Sequence, residues 1–405
     1  MKVCVIGGGA SGMTAAVMLA REGIDVTLLE KNEKLGKKLF ITGKGRCNVT
    51  NDCDIDEMFA NVVHGGKFLR SALYSFTPQD AMSFFEDMGL TLVVERGNRV
   101  FPMTQKSSDV IKAYERELKR LGVDVRLNTE AESIKKSDSG WEVSVFSGAI
   151  AADKVIVATG GVSYPSTGST GDGYAFAQSF GMRVVEPKQA LVPLIVAQNV
   201  SALQGISLKN VTLSAYDADG RVIASEFGEM LFTNRGLSGP IALSVSSYIN
   251  RYGKVKLLLD LKPALDEKTL ERRILREFDA RKNQDIKNVT RALMPERLNA
   301  FVLSAAGIQE SKKVNAITKE ERDRLIYCMK NLRFDLSALA PFTEAIVTSG
   351  GVDVKELKPT CESKAHSGLY FVGETVDIDA LTGGFNLQLA YATGVAAARD
   401  IIKKQ

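Results

Sequence analysis

VCVIGGGASGMTAAVMLAREGIDVTLLEK, residues 3–31, is the stretch that decides the fold. A short apolar run rich in β-branched residues ends at a glycine turn with the pattern Gly7-x-Gly9-x-x-Gly12. The apolar residues that follow have helical spacing, and a second apolar run leads to Glu30. This order of strand, turn, helix and strand predicts a βαβ unit whose turn binds the pyrophosphate of a dinucleotide.

The three glycines and the acid have separate roles in such a site. Gly7 permits the tight turn, Gly9 lets the backbone approach the pyrophosphate, and Gly12 lets helix and strand pack closely. The pyrophosphate would lie on the free N–H groups at the start of the helix. Glu30 is placed to accept hydrogen bonds from ribose hydroxyls. A lone GxGxxG is weak evidence, but the complete order favours a dinucleotide site over an ordinary buried βαβ unit.

The composition is typical of a globular protein with two or three domains, at 405 residues and 45% hydrophobic content. The 52 basic and 48 acidic residues nearly balance, and no basic tract indicates nucleic acid. Five scattered cysteines favour a reducing cytosol, and their spacing predicts no metal site. No stretch approaches the ~20 apolar residues that span a bilayer. We therefore expect a cytoplasmic protein without metal, membrane or nucleic-acid partners.

Four further glycine-containing segments carry candidate site residues. Residues 35–51, LGKKLFITGKGRCNVTN, interleave glycine with lysine and arginine, which favours contact with an anionic cofactor over an ordinary surface loop. Residues 154–161, KVIVATGG, predict a buried strand that delivers glycines to its carboxyl end. The loop at 163–173 could line the site, act as a lid or pack as an Ω-loop. Residues 382–388, TGGFNLQ, predict a helix start whose positive end offsets negative charge.

The middle of the chain has a different pattern, with short strands and polar turns followed by helical periodicity. Two of these predicted strands are residues 222–224 and 230–232. The final segment again has buried strands that end at glycines, as the first segment does. We therefore expect the middle of the chain to be an inserted substrate or cap domain. The predicted domains are 1–186, the first part of the dinucleotide-binding domain; 187–340, the insert; and 341–405, the return segment.

Six motifs together resemble the BaiN-like, or aminoacetone oxidase-like, family of bacterial FAD-dependent oxidoreductases over nearly the whole chain. The GRCN and GGFN pieces are the specific ones, whereas the first motif occurs in many flavoproteins. The motifs are GGGASG at 7–12, GKGRCNVTN at 43–51, ATGGVSYPSTGSTGDGY at 158–174, NRGLSGP at 234–240, VTSGGV at 347–352 and VGETVDIDALTGGFNLQLAYATG at 372–394.

The resemblance implies an α/β fold in which a Rossmann-like FAD-binding domain of the two-dinucleotide flavoprotein type is interrupted by an inserted β-barrel-plus-helices domain. It places Arg46 and Asn48 near the flavin or its phosphates, and Glu374 near the ribityl–pyrophosphate region. It places residues 384–386 at the pyrimidine edge of the flavin. The expected cofactor-binding residues are Gly7, Gly9, Ala10, Ser11, Gly12, Glu30, Lys31, Lys38, Gly45, Arg46, Asn48, Ala131, Thr159, Gly160, Gly161, Gly373, Glu374, Asp379, Gly384, Phe385, Asn386 and Leu387.

The leading functional hypothesis is a reductase in which NADH or NADPH reduces FAD, and flavin N5 passes hydride to an activated C=C or carbonyl of a small hydrophobic substrate. No second GxGxxG follows a strand, so the nicotinamide would enter only transiently. The alternatives are an oxidase of small amines that produces hydrogen peroxide, and a flavin-binding redox sensor. Tyr164 is a candidate proton donor, although a buried structural tyrosine is the favoured interpretation. The two histidines, His64 and His366, receive no role, and the sequence gives no indication of oligomeric state.

Overall fold

The computed structural model describes all 405 residues, and the chain forms two compact units. The split unit contains Met1–Gln189 and Phe342–Gln405, and the inserted unit contains Ala190–Pro341. The strands are β1 (Lys2–Ile6), β2 (Asp25–Leu29), β3 (Thr50–Asn51), β4 (Val62–His64), β5 (Leu92–Glu95), β6 (Arg99–Pro102), β7 (Asp124–Arg126), β8 (Ala131–Ser137), β9 (Gly140–Val145), β10 (Gly148–Ala152), β11 (Lys154–Val157), β12 (Val184–Ala190), β13 (Leu194–Val196), β14 (Ser207–Tyr216), β15 (Val222–Phe232), β16 (Gly236–Ser238), β17 (Lys256–Asp260), β18 (Leu332–Leu339), β19 (Val347–Val352), β20 (Leu369–Phe371) and β21 (Asp379–Ala380).

The helices alternate with the strands in the split unit and dominate the second half of the inserted unit. They are α1 (Ala10–Arg21), α2 (Lys37–Ile41), α3 (Ile55–Ala60), α4 (Gly66–Ser75), α5 (Pro78–Asp87), α6 (Ser107–Arg120), α7 (Asp172–Ser179), α8 (Pro240–Ile249), α9 (Glu267–Ala280), α10 (Ile286–Thr290), α11 (Glu296–Ala305), α12 (Lys319–Lys330) and α13 (Phe385–Lys403). Short 3₁₀ helices span Thr42–Gly45, Pro165–Thr167, Ser201–Leu203, Val314–Ala316, Val354–Glu356 and Gly373–Thr375.

The split unit is built on a five-stranded parallel sheet with the order β20-β11-β1-β2-β7. Its central strands are continuous apolar runs because helices cover such sheets on both faces. Val5 of β1 and Ile156 of β11 are fully buried and pair in register. The outermost strand, β20, comes from the part of the chain after the insertion. After the insertion, the chain therefore returns to the split unit and adds β20 to the sheet that contains β1.

Two smaller antiparallel sheets of the split unit flank the nucleotide-binding core. The meander β8–β9–β10 forms one of them, and β3, β6 and β5 form the other in the order β3-β6-β5. The single tryptophan, Trp141 on β9, is buried and packs edge-on against Phe180. Trp141 thus has a structural role in the core, as the sequence favoured.

The inserted unit contains a closed six-stranded barrel with the order β13-β16-β15-β14-β17-β18. Side chains alternate between the inside and the outside of such a barrel, and Leu213, Leu257 and Phe334 are fully buried in its core. Helices α9 to α12 add their own buried faces to the same core, including Leu270 and Leu298. A Rossmann-type unit and a barrel with helices confirm the expected fold class.

None of the helices combines the length and the apolar character needed to cross a lipid bilayer.

Candidate functional site

A long cavity lies along the carboxyl ends of the parallel strands of the split unit. Its walls include the glycine turn after β1, Glu30 after β2 and Thr159 after β11. It continues to the first turn of α13, where Asn386 and Leu387 line it. Open parallel sheets bind their ligands at this edge, so the cavity is the candidate site.

The turn between β1 and α1 is shaped by close backbone contacts. Gly7 has a φ of +109°, and a Cβ atom there would lie 2.4 Å from the Ala158 carbonyl oxygen. A Cβ atom at Gly12 would lie 2.0 Å from the Gly7 carbonyl oxygen, so only glycine lets α1 approach the turn this closely. Gly9 is different, because a Cβ there would meet no protein atom within 4 Å. Since Gly9 lines the cavity, the space beside it is available to a ligand.

The first turn of α1 presents free N–H donors at this point. Gly9 is the N-cap residue, and no side chain caps the helix. Met13 donates its N–H to the Gly9 carbonyl oxygen at 2.9 Å, so the N–H groups of residues 10–12 have no acceptor within the helix. These donors and the positive end of the helix dipole suit a pyrophosphate group.

Glu30 lies directly after β2 and orients the glycine turn. Its Oε2 accepts a hydrogen bond from the Gly8 N–H at 2.9 Å. Its Oε1 accepts from the backbone N–H of Asn32 at 2.8 Å and from the Asn32 amide at 2.6 Å. A carboxylate has about four acceptor positions, so Glu30 keeps capacity for ribose hydroxyls. The neighbouring Lys31 pairs with Asp172 at 2.6 Å across the cavity lining.

Lys38 and Glu374 form an ion pair on the cavity wall. Lys38 Nζ lies 2.6 Å and 2.9 Å from the two carboxylate oxygens of Glu374. The Thr348 N–H and the Ser163 hydroxyl each donate to Glu374 Oε1 at 2.8 Å. Burial raises the pKa of Glu374, but the Lys38 charge and these hydrogen bonds outweigh it and hold the pKa below its usual value. The ionised carboxylate therefore joins α2, the loop after β11 and β19.

The start of α13 is held by its own backbone turn. Gly383 and Gly384 have φ values of +131° and +101°, and a Cβ on Gly384 would lie 2.5 Å from the Thr50 carbonyl oxygen. The Asn386 side chain accepts from the Ala380 N–H at 2.9 Å and donates to the Ala380 carbonyl at 2.7 Å. No side chain caps α13, which is 19 residues long. Its free N–H groups therefore lie beside the part of the cavity that Asn386 and Leu387 line.

The cavity brings together most of the residues expected from the sequence, and these positions remain predictions of cofactor contact. The expected residues that line it are Gly7, Gly9, Ala10, Ser11, Glu30, Lys31, Lys38, Ala131, Thr159, Gly160, Gly373, Glu374, Asn386 and Leu387. Those that the lining leaves out are Gly12, Gly45, Arg46, Asn48, Gly161, Asp379, Gly384 and Phe385.

Arg46 and Tyr164 lie away from the cavity. The Arg46 guanidinium pairs with Glu95 and stacks over Phe101 at 4.1 Å from the ring centroid. Arg46 is not among the residues that line the cavity. Gln105 accepts a further hydrogen bond from Arg46. Tyr164 adopts a positive φ of +51° and does not line the cavity. Its assignment as a proton donor has no geometric support here.

The sequence missed several lining residues. Asn32 and Thr129 each follow the carboxyl end of a parallel strand, a position that could have indicated them. Thr167, Gly168 and Ser169, in the loop for which three alternatives were open, also line the cavity.

The cysteines do not form a reactive group at this site. Cys47, inside the glycine-rich segment 35–51, is fully buried, and burial raises its pKa to about 12. All five cysteines are free thiols. No group of three or more His, Cys, Asp or Glu side chains is positioned to hold a metal ion.

The residues of the cavity fit FAD. Free N–H donors at α1 face the open space beside Gly9, and Glu30 lies at the adjacent strand end. The Thr159 hydroxyl is buried on the lining without a hydrogen-bond partner, as expected for a group that a ligand satisfies. When bound here, FAD supplies hydride-transfer chemistry.

Comparison with known proteins extends these observations. The model of the HI0933-like protein Rossmann domain matches residues 1–400. The chain is 31% identical to the 3-dehydro-bile acid delta(4,6)-reductase of Clostridium scindens, with 98% of each chain covered. It is 30% identical to the ribosomal RNA dihydrouridine synthase of Haemophilus influenzae, covering 99% of this chain and 98% of that protein.

A solved structure shares the fold. The 3-ketosteroid-delta4-(5alpha)-dehydrogenase from Rhodococcus jostii RHA1 superposes with a TM-score of 0.51 at 14% identity, covering 98% of this chain and 96% of that chain. The family match and the relatives of full length confirm the resemblance drawn from the motifs. The chain belongs to the HI0933-like Rossmann family, and it is an FAD-dependent oxidoreductase.

Proposed function

We propose that the protein reduces a carbon–carbon double bond conjugated to a carbonyl group, with NADH or NADPH as the electron donor. The observation that carries the proposal is a cavity suited to FAD in a chain similar over its whole length to two kinds of reductive enzyme. A delta(4,6)-reductase of a 3-keto steroid and an enzyme that forms dihydrouridine both saturate a C=C bond conjugated to a carbonyl. The shared chemistry is broader than either substrate.

Different residues of the split unit would bind different parts of the cofactor. The N–H groups at the start of α1 would bind the pyrophosphate, and Glu30 would accept from the adenosine ribose. Lys38 and Glu374 would contact the middle of the cofactor, where they line the cavity. The positive end of α13 would stabilise negative charge on the reduced ring.

The donor would bind without a domain of its own, since no second glycine fingerprint follows a strand. A nicotinamide would therefore enter and leave the substrate side of the cavity between half-reactions. This predicts ping-pong kinetics, in which donor and acceptor use the same space in turn.

The substrate is either a small hydrophobic enone or a uridine in RNA. The sequence favours the first, and the second is supported by the charge of the inserted unit. Residues 190–341 carry 23 Lys and Arg side chains against 17 Asp and Glu, whereas the rest of the chain carries 29 against 31. An excess of positive charge confined to one unit would favour binding to a phosphate backbone. The expectation that nucleic acid is no partner therefore stays a prediction to be tested.

The test follows the visible spectrum of the FAD-loaded protein under anaerobic conditions. NADH or NADPH should bleach the flavin absorbance, and a 3-keto-4-ene steroid or a uridine-containing ribosomal RNA fragment should restore it in stoichiometric yield. The product would be identified by mass as substrate plus two hydrogens.

Two results would contradict the proposal. Reoxidation by oxygen alone, with peroxide formed in proportion to an amine consumed, would favour an oxidase. A flavin that no nicotinamide reduces would favour a redox sensor. A matched RNA fragment lacking uridine serves as the control for the nucleic-acid arm.

A further inference from the structure

We propose that His64, oriented by the buried carboxylate of Asp379, delivers the proton that completes reduction of the double bond. The inference rests on the proposed function and adds the group that the cavity lining itself does not supply. Its basis is the pairing of His64, which has no expected cofactor-binding role, with Asp379. The two residues lie 315 positions apart in the chain and meet where β4 pairs with β21.

The geometry fixes one nitrogen of the imidazole ring. His64 Nδ1 lies 2.7 Å from Asp379 Oδ1 and 3.3 Å from the Ser349 hydroxyl. An ionised carboxylate only accepts hydrogen bonds, so Nδ1 carries a proton and donates it to Asp379. Nε2 is then the nitrogen that gains and loses a proton. It has no hydrogen-bond partner in the structure, and the side chain is 22% exposed.

Asp379 is positioned to hold this arrangement. Its side chain is fully buried, and its Oδ2 atom has no hydrogen-bond partner. A buried carboxylate is unfavourable unless an opposite charge accompanies it. His64 is the only basic side chain within ion-pair distance of Asp379 in the structure. The contact therefore fixes the ring with Nδ1 toward the carboxylate and leaves Nε2 away from it.

The pair lies next to the α13 end of the cavity. A Cβ atom on Gly65, the residue after His64, would lie 2.6 Å from the Ile378 side chain, and Ile378 lines the cavity. Val347, two residues before Ser349 on β19, also lines it. The glycine turn and Glu30 would hold the adenosine diphosphate half of the cofactor. The reactive half would then extend toward the start of α13, where Asn386 hydrogen-bonds to Ala380, the residue after Asp379.

The proton is required by the balance of the reaction. Addition of a hydride to the β-carbon breaks the C=C π bond and leaves an enolate, with the electron pair shared between the α-carbon and the carbonyl oxygen. Transfer of the Nε2 proton to the α-carbon forms the second C–H bond and leaves neutral His64. The exposed edge of the ring then takes a proton from solvent. The sum is one hydride and one proton added across the double bond.

Other charged groups near β4 are peripheral to this transfer. Ser349 of β19 and Asp379 of β21 are the side chains that hydrogen-bond to the ring. The remaining ionisable groups on the elements that pack against β4, or directly beside them, are Asp56, Glu57, Lys67, Arg70 and Asp377.

The first test reads the tautomer without any substrate. The protein has two histidines, so long-range ¹H–¹⁵N spectra give two imidazole patterns, and the variant His366→Gln assigns them. The control residue, His366, contacts the Phe180 carbonyl through Nε2 and lies outside the cavity lining. Neutral His64 should show a protonated Nδ1 and a bare Nε2, and Asp379→Asn should mix the tautomers. A neutral His64 protonated on Nε2 would overturn the inference.

The second test is anaerobic stopped-flow reoxidation of the reduced, FAD-loaded enzyme by a 3-keto-4-ene steroid and, in a parallel experiment, by the uridine-containing ribosomal RNA fragment. His64→Gln should slow reoxidation about 100-fold, the lower range for loss of a general acid. Flavin reduction by NAD(P)H and FAD affinity should remain unchanged. His366→Gln should behave as wild type.

The outcomes separate the inference from the function on which it rests. Wild-type protein that neither the steroid nor the RNA fragment reoxidises overturns the proposed function and this inference together. Wild-type turnover with a His64→Gln rate within threefold overturns the inference alone. So does a variant that folds but loses FAD, because His64 would then serve cofactor binding. If His64→Gln does not fold, Asp379→Asn decides in its place, with a slowing of about tenfold expected.

Discussion

Alanine at Gly9 and alanine at Gly12 should separate cofactor binding from folding, although the two glycines belong to one motif. At Gly12 the added Cβ would lie 2.0 Å from the Gly7 carbonyl oxygen, more than 1 Å inside ordinary contact. The backbone fixes the position of the Cβ, and the carbonyl oxygen is itself a backbone atom, so neither can rotate away. Helix propensity favours alanine by about 1 kcal/mol, but overpacking of this kind costs about 1–3 kcal/mol or more. We expect a net loss of stability from Gly12→Ala.

The Gly9→Ala change meets the opposite conditions. Gly9 has φ −85° and ψ −171°, which alanine adopts without strain. Its Cβ would contact no protein atom within 4 Å. Alanine lowers the conformational entropy of the unfolded chain, which stabilises the protein by less than about 1 kcal/mol. Alanine is also a weaker N-cap residue than glycine, which destabilises the protein by less than about 1 kcal/mol. The apoprotein should therefore keep its stability, while the methyl group occupies the space expected for the pyrophosphate.

Two measurements on the same samples distinguish these effects. Thermal unfolding of the apoproteins should show a lower melting temperature for Gly12→Ala, by about 2–4 °C per kcal/mol, and no comparable change for Gly9→Ala. Titration of each apoprotein with FAD, followed by flavin fluorescence, should show at least about tenfold weaker binding for Gly9→Ala, which is about 1.4 kcal/mol. Unchanged FAD affinity in Gly9→Ala would refute the placement of the pyrophosphate. A Gly12→Ala protein as stable as wild type would refute the packing argument.

Three further substitutions or conditions test other parts of the structure. Lys38→Met should destabilise the protein by about 2–3 kcal/mol in urea unfolding, because it leaves the carboxylate of Glu374 without its cation. The control variant Lys37→Met removes an exposed i,i+4 pair and should cost less than about 0.5 kcal/mol. Burial raises the pKa of Glu362, but hydrogen bonds from two lysines and a backbone N–H outweigh it and lower the pKa to about 2. The resulting stability is present above pH ~4.3 and is lost as pH falls toward 2, so Glu362→Gln should flatten the acid limb of a stability–pH curve. A thiol reagent should label Cys328 first in the native protein, because the other four cysteines are buried; rapid labelling of a second thiol would contradict the packing described.

The nucleotide-binding core was predictable because its signals are local. The strand, glycine turn, helix and acid of residues 3–31 lie in one continuous stretch, and each has a steric or electrostatic reason for its position. The glycines at 383 and 384 could be recognised in the same way as the start of a helix. Such signals need no knowledge of which distant residues meet.

The strand pattern of the barrel was only partly predictable. Residues 222–224 and 230–232 were expected as two strands, but β15 runs without interruption over Val222–Phe232. Of the polar residues between them, Ser225 and Glu229 lie on the exposed side of the barrel, where water solvates them. In the sequence, polar residues between two apolar runs indicated a turn. The sequence does not show that the sheet closes into a barrel, in which one strand can carry these residues on its outer side.

The partners of charged side chains were not predictable. Arg46 pairs with Glu95, 49 positions away, a partner that the sequence did not indicate. The pairing of His64 with Asp379 depends on two short strands that meet only in the folded chain. Both cases turn on contacts between distant segments, which residue type and spacing do not specify.

The insertion also constrains how the protein can be made. Strand β20 forms an edge of the parallel sheet, and α13 packs against α1 so closely that a Cβ on Gly394 would lie 2.6 Å from the Ser11 carbonyl oxygen. Both elements are translated only after the entire barrel. The first 189 residues must therefore wait, with one side of α1 uncovered, until the ribosome has passed residue 403. Premature termination within the barrel would release a nascent chain with exposed apolar surface, a substrate for chaperones and proteases rather than a partly loaded flavoprotein.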